Sequence, residues 1–544
     1  MTVGNEVVAR LAAEGVETVF GIPGKQTLPL NEAMSEYGIE YVMARHETAV
    51  SHNAWGYAET SGEVAATVVI PGPGDMNAMN GLKNALNDCT PLVHIAVETD
   101  PDVRGGDGIH ETPPDTYDNV VKENYLVAEP QGAVATLTEA IRTAKTAPKG
   151  PVRVGIPKNF LGMDVPQAAP PTADSPVPPQ PDPDTVTEAA DLLAGADEPV
   201  IVAGGGVRSS EAADSLVTVA ERLDAPVLTT YKGKGTIPEN HPLSAGVLCG
   251  GTSPEVAAVL ADSDVALGVG TDFDAVTTGH WSLDVPDDLV HVTLDADDIG
   301  TGYDPALAIV ADADATLSAL TEELPDVERN GSARARVARD ADDDRITDLL
   351  DDEPPITSAA ALRAVRSALP EDTVIAADAG GFRIWTLVAF SAFGPRSYVN
   401  PGSWATMGTG LPSAIGAKVA NPDSDVVALT GDGGLMMCIH ELHTLAAENL
   451  DVTVVVFAND DYAIISEEAE RSYGLSETAY GWVDAPLSFT DIAEGMGVDA
   501  TTAESPAAIK DALSDALDTD GPTLIAVPTD PTEPQASEWM GAER

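Results

Sequence analysis

The chain has 544 residues, too many for one hydrophobic core and suited to about three domains. It carries 28 basic against 88 acidic side chains, a formal charge of −60, yet 43% of its residues are apolar, so it is not a disordered acidic tail. That balance excludes nucleic acid and anionic membranes as partners, since both need positive charge, and no apolar run approaches the ~18 residues of a membrane span.

Strand and helix patterns alternate over residues 1–165. Met1-Thr2-Val3 leads into a helix with no basic region or cleavage signal, so no export is expected. A strand closes on the turn Gly21-Ile22-Pro23-Gly24, followed by Lys25, and another closes on Arg45-His46-Glu47. The apolar run 66–70 enters Pro71-Gly72-Pro73-Gly74, and Asn77-Ala78-Met79-Asn80 opens a helix. A last strand at 152–157 ends the unit. Residues 166–185, rich in Pro, Ala and Asp, read as an extended linker. A middle unit over 186–327 has strands near 198–203, 226–230, 265–269 and 290–294. A charged linker spans 328–354, and a third unit runs over 355–544. The expected fold is α/β, with three doubly wound, mostly parallel sheets covered by helices.

The third unit holds the most specific signal. The strand 426–430 runs into Gly431-Asp432-Gly433-Gly434, the stretch 435–448 has helical character, and 451–457 is the next strand. Asn459 follows Gly433 by 26 residues (459 − 433). A carboxylate and an amide oxygen therefore sit at the carboxyl ends of consecutive strands, where open α/β sheets bind ligands. Glycines let backbone approach a phosphate, and hard oxygen donors suit Mg²⁺ carrying a diphosphate. An ordinary strand–helix turn with structural glycines is the plain alternative.

This spacing resembles the GDG-to-Asn motif of thiamine diphosphate (ThDP) enzymes of the acetolactate synthase, pyruvate decarboxylase and benzoylformate decarboxylase group. The resemblance covers nearly the whole chain, in the order pyrimidine-binding domain, middle domain, diphosphate-binding domain. It implies Mg²⁺ held by Asp432, Asn459 and the main-chain carbonyl of Asp461. It places Glu47 where a carboxylic acid shares a proton with N1′ of the aminopyrimidine, so that the cofactor's own 4′-nitrogen can remove the thiazolium C2 proton. Pro23, Gly72 and Asn77 are expected around the pyrimidine. Gly380, Gly381, Phe382, Gly431, Gly433, Gly434 and Ile464 are expected around the diphosphate and thiazolium. Met407 would wedge the two rings into a V, and the Ala405 carbonyl would accept from the 4′-amino group. Read plainly, Met407 is a core methionine.

Three departures matter. Ala458 stands where the family often has a first asparagine. Ile465 stands where the pyruvate decarboxylase branch has a catalytic glutamate, and Glu468 replaces a tryptophan of acetolactate synthases. His110, in the loop 107–113, stands where those synthases carry glutamine; it either relays protons or binds a carboxylate, or is a plain surface histidine. Lys25 is a candidate ligand for a 2-oxo acid carboxylate. In the middle unit Gly204-Gly205-Gly206 lacks the third glycine of a dinucleotide fingerprint, and Asp272 and Asp274 replace basic residues of the flavin-binding synthases. FAD is therefore the lesser expectation there, with ADP an alternative and tight turns the plain reading.

The expected activity is decarboxylation of a 2-oxo acid with transfer of the remaining unit to a second carbonyl. The alternatives are simple decarboxylation to an aldehyde and a non-catalytic nucleotide-binding homologue. Partners are expected to be the small-molecule substrate and further copies of the chain, as a homodimer or homotetramer, with room for a small regulatory subunit. Cys89, Cys249 and Cys438, without CxxC spacing, suit a reducing cytoplasm. The acidic excess suits molar salt, where the Debye length falls to ~3 Å, and so the cytosol of a halophile.

Overall fold

The computed structural model describes residues 1–105, 110–113, 115–169, 176–475 and 480–542. Three six-stranded sheets, every described pairing parallel, carry the fold. The N-terminal sheet contains β1 (Thr18–Gly21), β2 (Glu40–Met43), β3 (Ala65–Val69), β4 (Leu92–Glu98), β5 (Glu123–Leu126) and β6 (Val152–Pro157). The middle sheet contains β7 (Pro199–Ala203), β8 (Val227–Thr230), β9 (Ser244–Leu248), β10 (Val265–Val269), β11 (Asp288–Thr293) and β12 (Leu307–Val310). The C-terminal sheet contains β13 (Val374–Ala377), β14 (Tyr398–Val399), β15 (Val426–Gly431), β16 (Thr453–Ala458), β17 (Asp499–Thr502) and β18 (Thr523–Pro528). Central strands such as β3 and β4 are buried throughout, as parallel strands covered on both faces must be.

The N-terminal and C-terminal sheets share one strand order. The first reads β2-β1-β3-β4-β6-β5, and the second β14-β13-β15-β16-β18-β17. In each, the order reverses between the first and third strands, so a crevice opens at their carboxyl ends. The middle sheet is wound differently, β12-β11-β10-β7-β8-β9.

The two like domains pack through the helices Glu47–Ser61 and Gly410–Ala420. Gly56 lies against the backbone of Ser413, and Gly416 against that of Asn53, so a Cβ at either position would collide with main chain. One core consequently runs through both domains, from Phe20 and Trp55 to Ile415 and Val454.

The stretch read as a charged linker contains a helix, Gly331–Thr347. Its alanines 335 and 338 are buried with Leu228, Ala245 and Leu260 of the middle domain. Arginines replace an apolar stripe as the fastening. Arg334 donates to the carbonyls of Pro199 (3.0 Å) and Val259 (2.9 Å), and Arg339 to that of His241 (3.1 Å). Just ahead, Arg329 donates to Ala194 (3.0 Å) and Ala196 (3.0 Å), closing the C-terminal end of the helix Pro183–Gly195, and to Leu223 (2.6 Å). None of these contacts appears as a hydrophobic pattern. Among the described residues, no helix is long and apolar enough to cross a membrane.

Candidate active site

A cavity of about 620 Å³ opens at the carboxyl edge of the C-terminal sheet. It is lined by Gly380, Gly381 and Phe382 after β13, Met407 after β14, Gly431 to Gly434 at the end of β15, and Asn459, Asp461 and Ile464 after β16. The register Gly431↔Phe457 places the ends of β15 and β16 side by side, which brings Asp432 to Asn459. Asp432 accepts the backbone N–H groups of Gly433 (2.7 Å), Asn459 (2.9 Å) and Asp460 (2.7 Å). Burial nevertheless pushes its carboxyl up to about 6, against those hydrogen bonds.

The glycines are there for room. A Cβ on Gly433 would lie 2.5 Å from the Tyr462 ring and 3.3 Å from Met407 Cε. Met407 is held by the segment around it. The fully buried Asp378 accepts from the N–H groups of Gly408 (2.9 Å) and Thr409 (3.1 Å) and from the Thr430 hydroxyl (2.9 Å), tying the residues after Met407 to β15. Ala405, at φ 46, stands off the cavity wall on the same segment. Asn80 of the N-terminal domain accepts from Trp404 Nε1 (2.7 Å) and donates to Thr406 Oγ1 (3.0 Å) on either side of it.

The N-terminal domain repeats this arrangement with other side chains. Pro23 and Lys25 follow β1, Glu47 follows β2, Gly72 and Asn77 follow β3, and His110 follows β4. Glu47 opens the helix Glu47–Ser61 and is half-buried; Asn77 Nδ2 donates to its Oε2 at 3.1 Å. Lys25 and His110 are exposed. Gly72, at φ 65, lies under His110, whose Cα would be 2.7 Å from a Cβ there, so only glycine fits. The neighbouring residues 106–109 lie outside the described residues. Among the described residues, no side chain of the N-terminal domain lines the 620 Å³ cavity. The structure thus groups Pro23, Lys25, Glu47, Gly72, Asn77 and His110 at one sheet edge and the predicted metal and diphosphate residues at another.

Three family models match the chain. The N-terminal thiamine pyrophosphate-binding domain covers residues 1–119, the central domain of thiamine pyrophosphate enzymes 186–320, and the C-terminal thiamine pyrophosphate-binding domain 378–527. The probable acetolactate synthase large subunit of Methanococcus aeolicus is 31% identical, over 99% of this chain and 93% of the relative. The chain is a thiamine pyrophosphate enzyme. The acetolactate synthase isozyme 1 large subunit of Escherichia coli K12 is 30% identical over 97% of this chain and 94% of its own length. A probable 2-ketoarginine decarboxylase of Pseudomonas aeruginosa is 33% identical over 84% of this chain and 81% of its own. The cofactor of the family fits the residues present: the cavity passes two glycine turns at strand ends, with room for a diphosphate beside a carboxylate and an amide oxygen.

Two supports of this thiamine pyrophosphate enzyme were not legible in the sequence. Asp75 is fully buried and accepts from Arg153 Nη2 (2.6 Å) and Thr112 Oγ1 (2.8 Å), with His94 Nε2 at 3.1 Å. Burial alone would raise its carboxyl, but His94 and Arg153 outweigh it and hold the group well below the usual range. Thr112 also accepts from Gly72 N (3.2 Å). The network therefore fastens both the turn carrying Asn77 and the strap carrying His110. The second support is Glu441, which accepts from the N–H groups of Arg45 (2.9 Å) and His46 (3.0 Å) just before Glu47. An acidic residue directly after the Gly-Pro-Gly turn was the available signal for Asp75. Glu441 lies 396 residues from Arg45 (441 − 45) and left none.

In the middle domain the glycine run serves packing. Gly204 and Gly206 both lie against the backbone of Gly270, where a Cβ would collide. Asp274 accepts from Tyr231 (2.8 Å) and from Thr277 N (2.7 Å). Burial and the neighbouring Asp274 push the Asp272 carboxyl up to about 6.

Proposed function

We propose that this enzyme decarboxylates a 2-oxo acid and joins the remaining unit to a second carbonyl, as the acetolactate synthase relatives' names describe. The carrying observation is the paired design of the two domains: an acid placed after the second strand of one sheet, and a glycine-lined crevice holding Asp432 and Asn459 after the first, third and fourth strands of its twin. Bound ThDP would supply a carbon nucleophile for the keto group and a sink for the charge left by departing CO₂. Asp432, Asn459 and the main-chain carbonyl of Asp461 would hold Mg²⁺ against the diphosphate. Glu47 would hold a proton at N1′ of the pyrimidine, with Asn77 fixing the carboxyl. Met407 would set the angle between the rings, and the Ala405 carbonyl would accept from the 4′-amino group. His110 and Lys25 would meet the substrate's carboxylate. Asp272 and Asp274 disfavour a flavin diphosphate in the middle domain, which we read as flavin-free.

The test is an assay of the protein with ThDP and Mg²⁺ against a panel of 2-oxo acids, quantifying CO₂ together with the organic product. A 2-hydroxy-3-oxo acid formed in step with CO₂ supports carboligation; aldehyde as the main product overturns it in favour of simple decarboxylation. One observation favours that second reading. Beyond the residues assigned to the metal, the cavity lining holds Glu467, Glu470 and Glu533, with no Lys or Arg among the described residues, which suits a cationic 2-oxo acid.

We further propose that the working unit is a dimer or larger. Glu47 lies outside the cavity of its own chain, and exposed methionines stand on the elements of both halves: Met43 and Met76 on one, Met436 and Met437 on the other. A two-fold pairing would bring Glu47 of one chain to Asp432 of the other. Mixing inactive Glu47→Gln with inactive Asp432→Ala under subunit exchange should then restore part of the activity, since one of the two composite sites in a heterodimer is intact. Heterodimers without recovered activity would place each site within one chain. We read the acidic coat as an adaptation to a salt-rich cytoplasm.

A further inference from the structure

The three domains meet around a small space that inverts the chemistry of the rest of the chain. Acidic residues outnumber basic ones 88 to 28 overall. This cavity, of about 30 Å³, is lined by four basic side chains, Lys149, Arg208, Lys232 and Arg396, and only two acidic ones, Glu59 and Asp88. The two carboxylates are already engaged. Glu59 takes Arg208 (2.9 Å), Lys232 (3.0 Å) and the Thr90 hydroxyl (2.7 Å), and Asp88 takes Lys232 (3.1 Å) and Gly402 N (3.2 Å). Counting the lining alone, four positive against two negative charges leave a formal +2.

The excess sits on Lys149 and Arg396. Lys149 gives a single hydrogen bond to a neutral acceptor, the carbonyl of Ser209 at 2.8 Å. Arg396 donates to the Glu59 carbonyl at 3.0 Å, and its nearest carboxylate, Glu211 at 3.6 Å, is mostly in solvent. Arg208 is 4% exposed, and its Nε has no hydrogen-bond partner among the described residues. Burial pulls both Lys149 and Arg396 below their ordinary ranges, in spite of Glu211 and Glu63 nearby. A half-buried cation in this condition gains when a counter-charge joins it.

We propose that this junction binds one small monovalent inorganic anion of halide size, chloride in the cell, which locks the three domains together. The volume is close to that of a single water, which suits a halide better than the larger phosphate or sulfate. Lys149, Arg208 and Arg396 come one from each domain, so an anion placed among their charges is bound by the assembled fold and not by the unfolded chain. Binding of that kind raises stability with anion concentration. It acts in addition to screening of the acidic surface, which any potassium salt provides.

The test separates binding from screening. Thermal midpoints of the full-length protein are measured in KCl, KBr and potassium glutamate at matched concentration, for the natural protein, Lys149→Gln and Lys149→Arg. Crystals grown in bromide are examined by anomalous scattering. A midpoint higher by about 2 °C or more in the halides, lost in Lys149→Gln, retained in Lys149→Arg and matched by an anomalous peak between residues 149, 208 and 396, supports the site. A water at that position, or a halide advantage of equal size in Lys149→Gln and the natural protein, overturns it. A peak whose loss in Lys149→Gln leaves the midpoints unchanged shows an adventitious ion only, and overturns the structural role.

Discussion

Glu47→Gln is expected to leave the protein folded and to cut turnover at least tenfold, with roughly 10²- to 10⁴-fold the scale of losing a positioned acid or base. Tenfold corresponds to ~1.4 kcal/mol in the barrier. The reason is chemical. The amide has the same shape and can still accept from Asn77, but it cannot share a proton with N1′ of the cofactor. The backbone ahead of residue 47 stays fastened by Glu441, and His46 Nδ1 still accepts from Thr48 N at 3.2 Å to cap the helix. Steady-state kinetics with saturating ThDP, alongside circular dichroism and a melting curve, decide the matter. Turnover within a factor of ten of the natural enzyme would remove Glu47 from its assigned role.

Asp432→Ala is expected to abolish tight ThDP binding while leaving the two sheets in place. The substitution deletes a proposed metal ligand and also strands three backbone N–H groups that the carboxylate now accepts. Loss of a hydrogen-bonded support around a metal site typically costs 10- to 100-fold in affinity, and loss of a ligand should exceed that. Asp432→Asn separates the two effects, because its oxygen can still accept from the backbone of residues 459 and 460. Calorimetry of ThDP binding, with and without Mg²⁺, should show the metal-dependent gain disappear in both variants. An unchanged gain in either would refute the assignment of the metal to this turn.

How much of this was legible in the sequence depended on whether the signal was local. Parallel strands such as β3 and β15 announced themselves as short apolar runs ending in Gly/Pro or Gly-rich turns, so the alternation of elements and the three-sheet fold followed. Asp432 and Asn459 were placed together because consecutive strands, β15 and β16, proved to be neighbours. The supports were not legible. His94 and Arg153 interrupt buried strands as isolated polar residues, and nothing local reveals that both face Asp75. The helix Gly331–Thr347 was read as a linker because its contacts are made by alanine methyls and guanidinium groups. Nor does spacing along the chain show that the cavity at one sheet edge excludes the acid of the other.

Arg329, Arg334 and Arg339 bear on any attempt to move this enzyme into dilute buffer. Each donates to main-chain carbonyls inside the molecule. The repulsion that dilution unmasks arises among carboxylates on the outside. An engineer should therefore lower the charge by exchanging exposed Asp and Glu for Asn, Gln or Ser, and leave these arginines alone. Subtracting carboxylates relaxes the exterior and leaves the fastenings of the middle domain as they are.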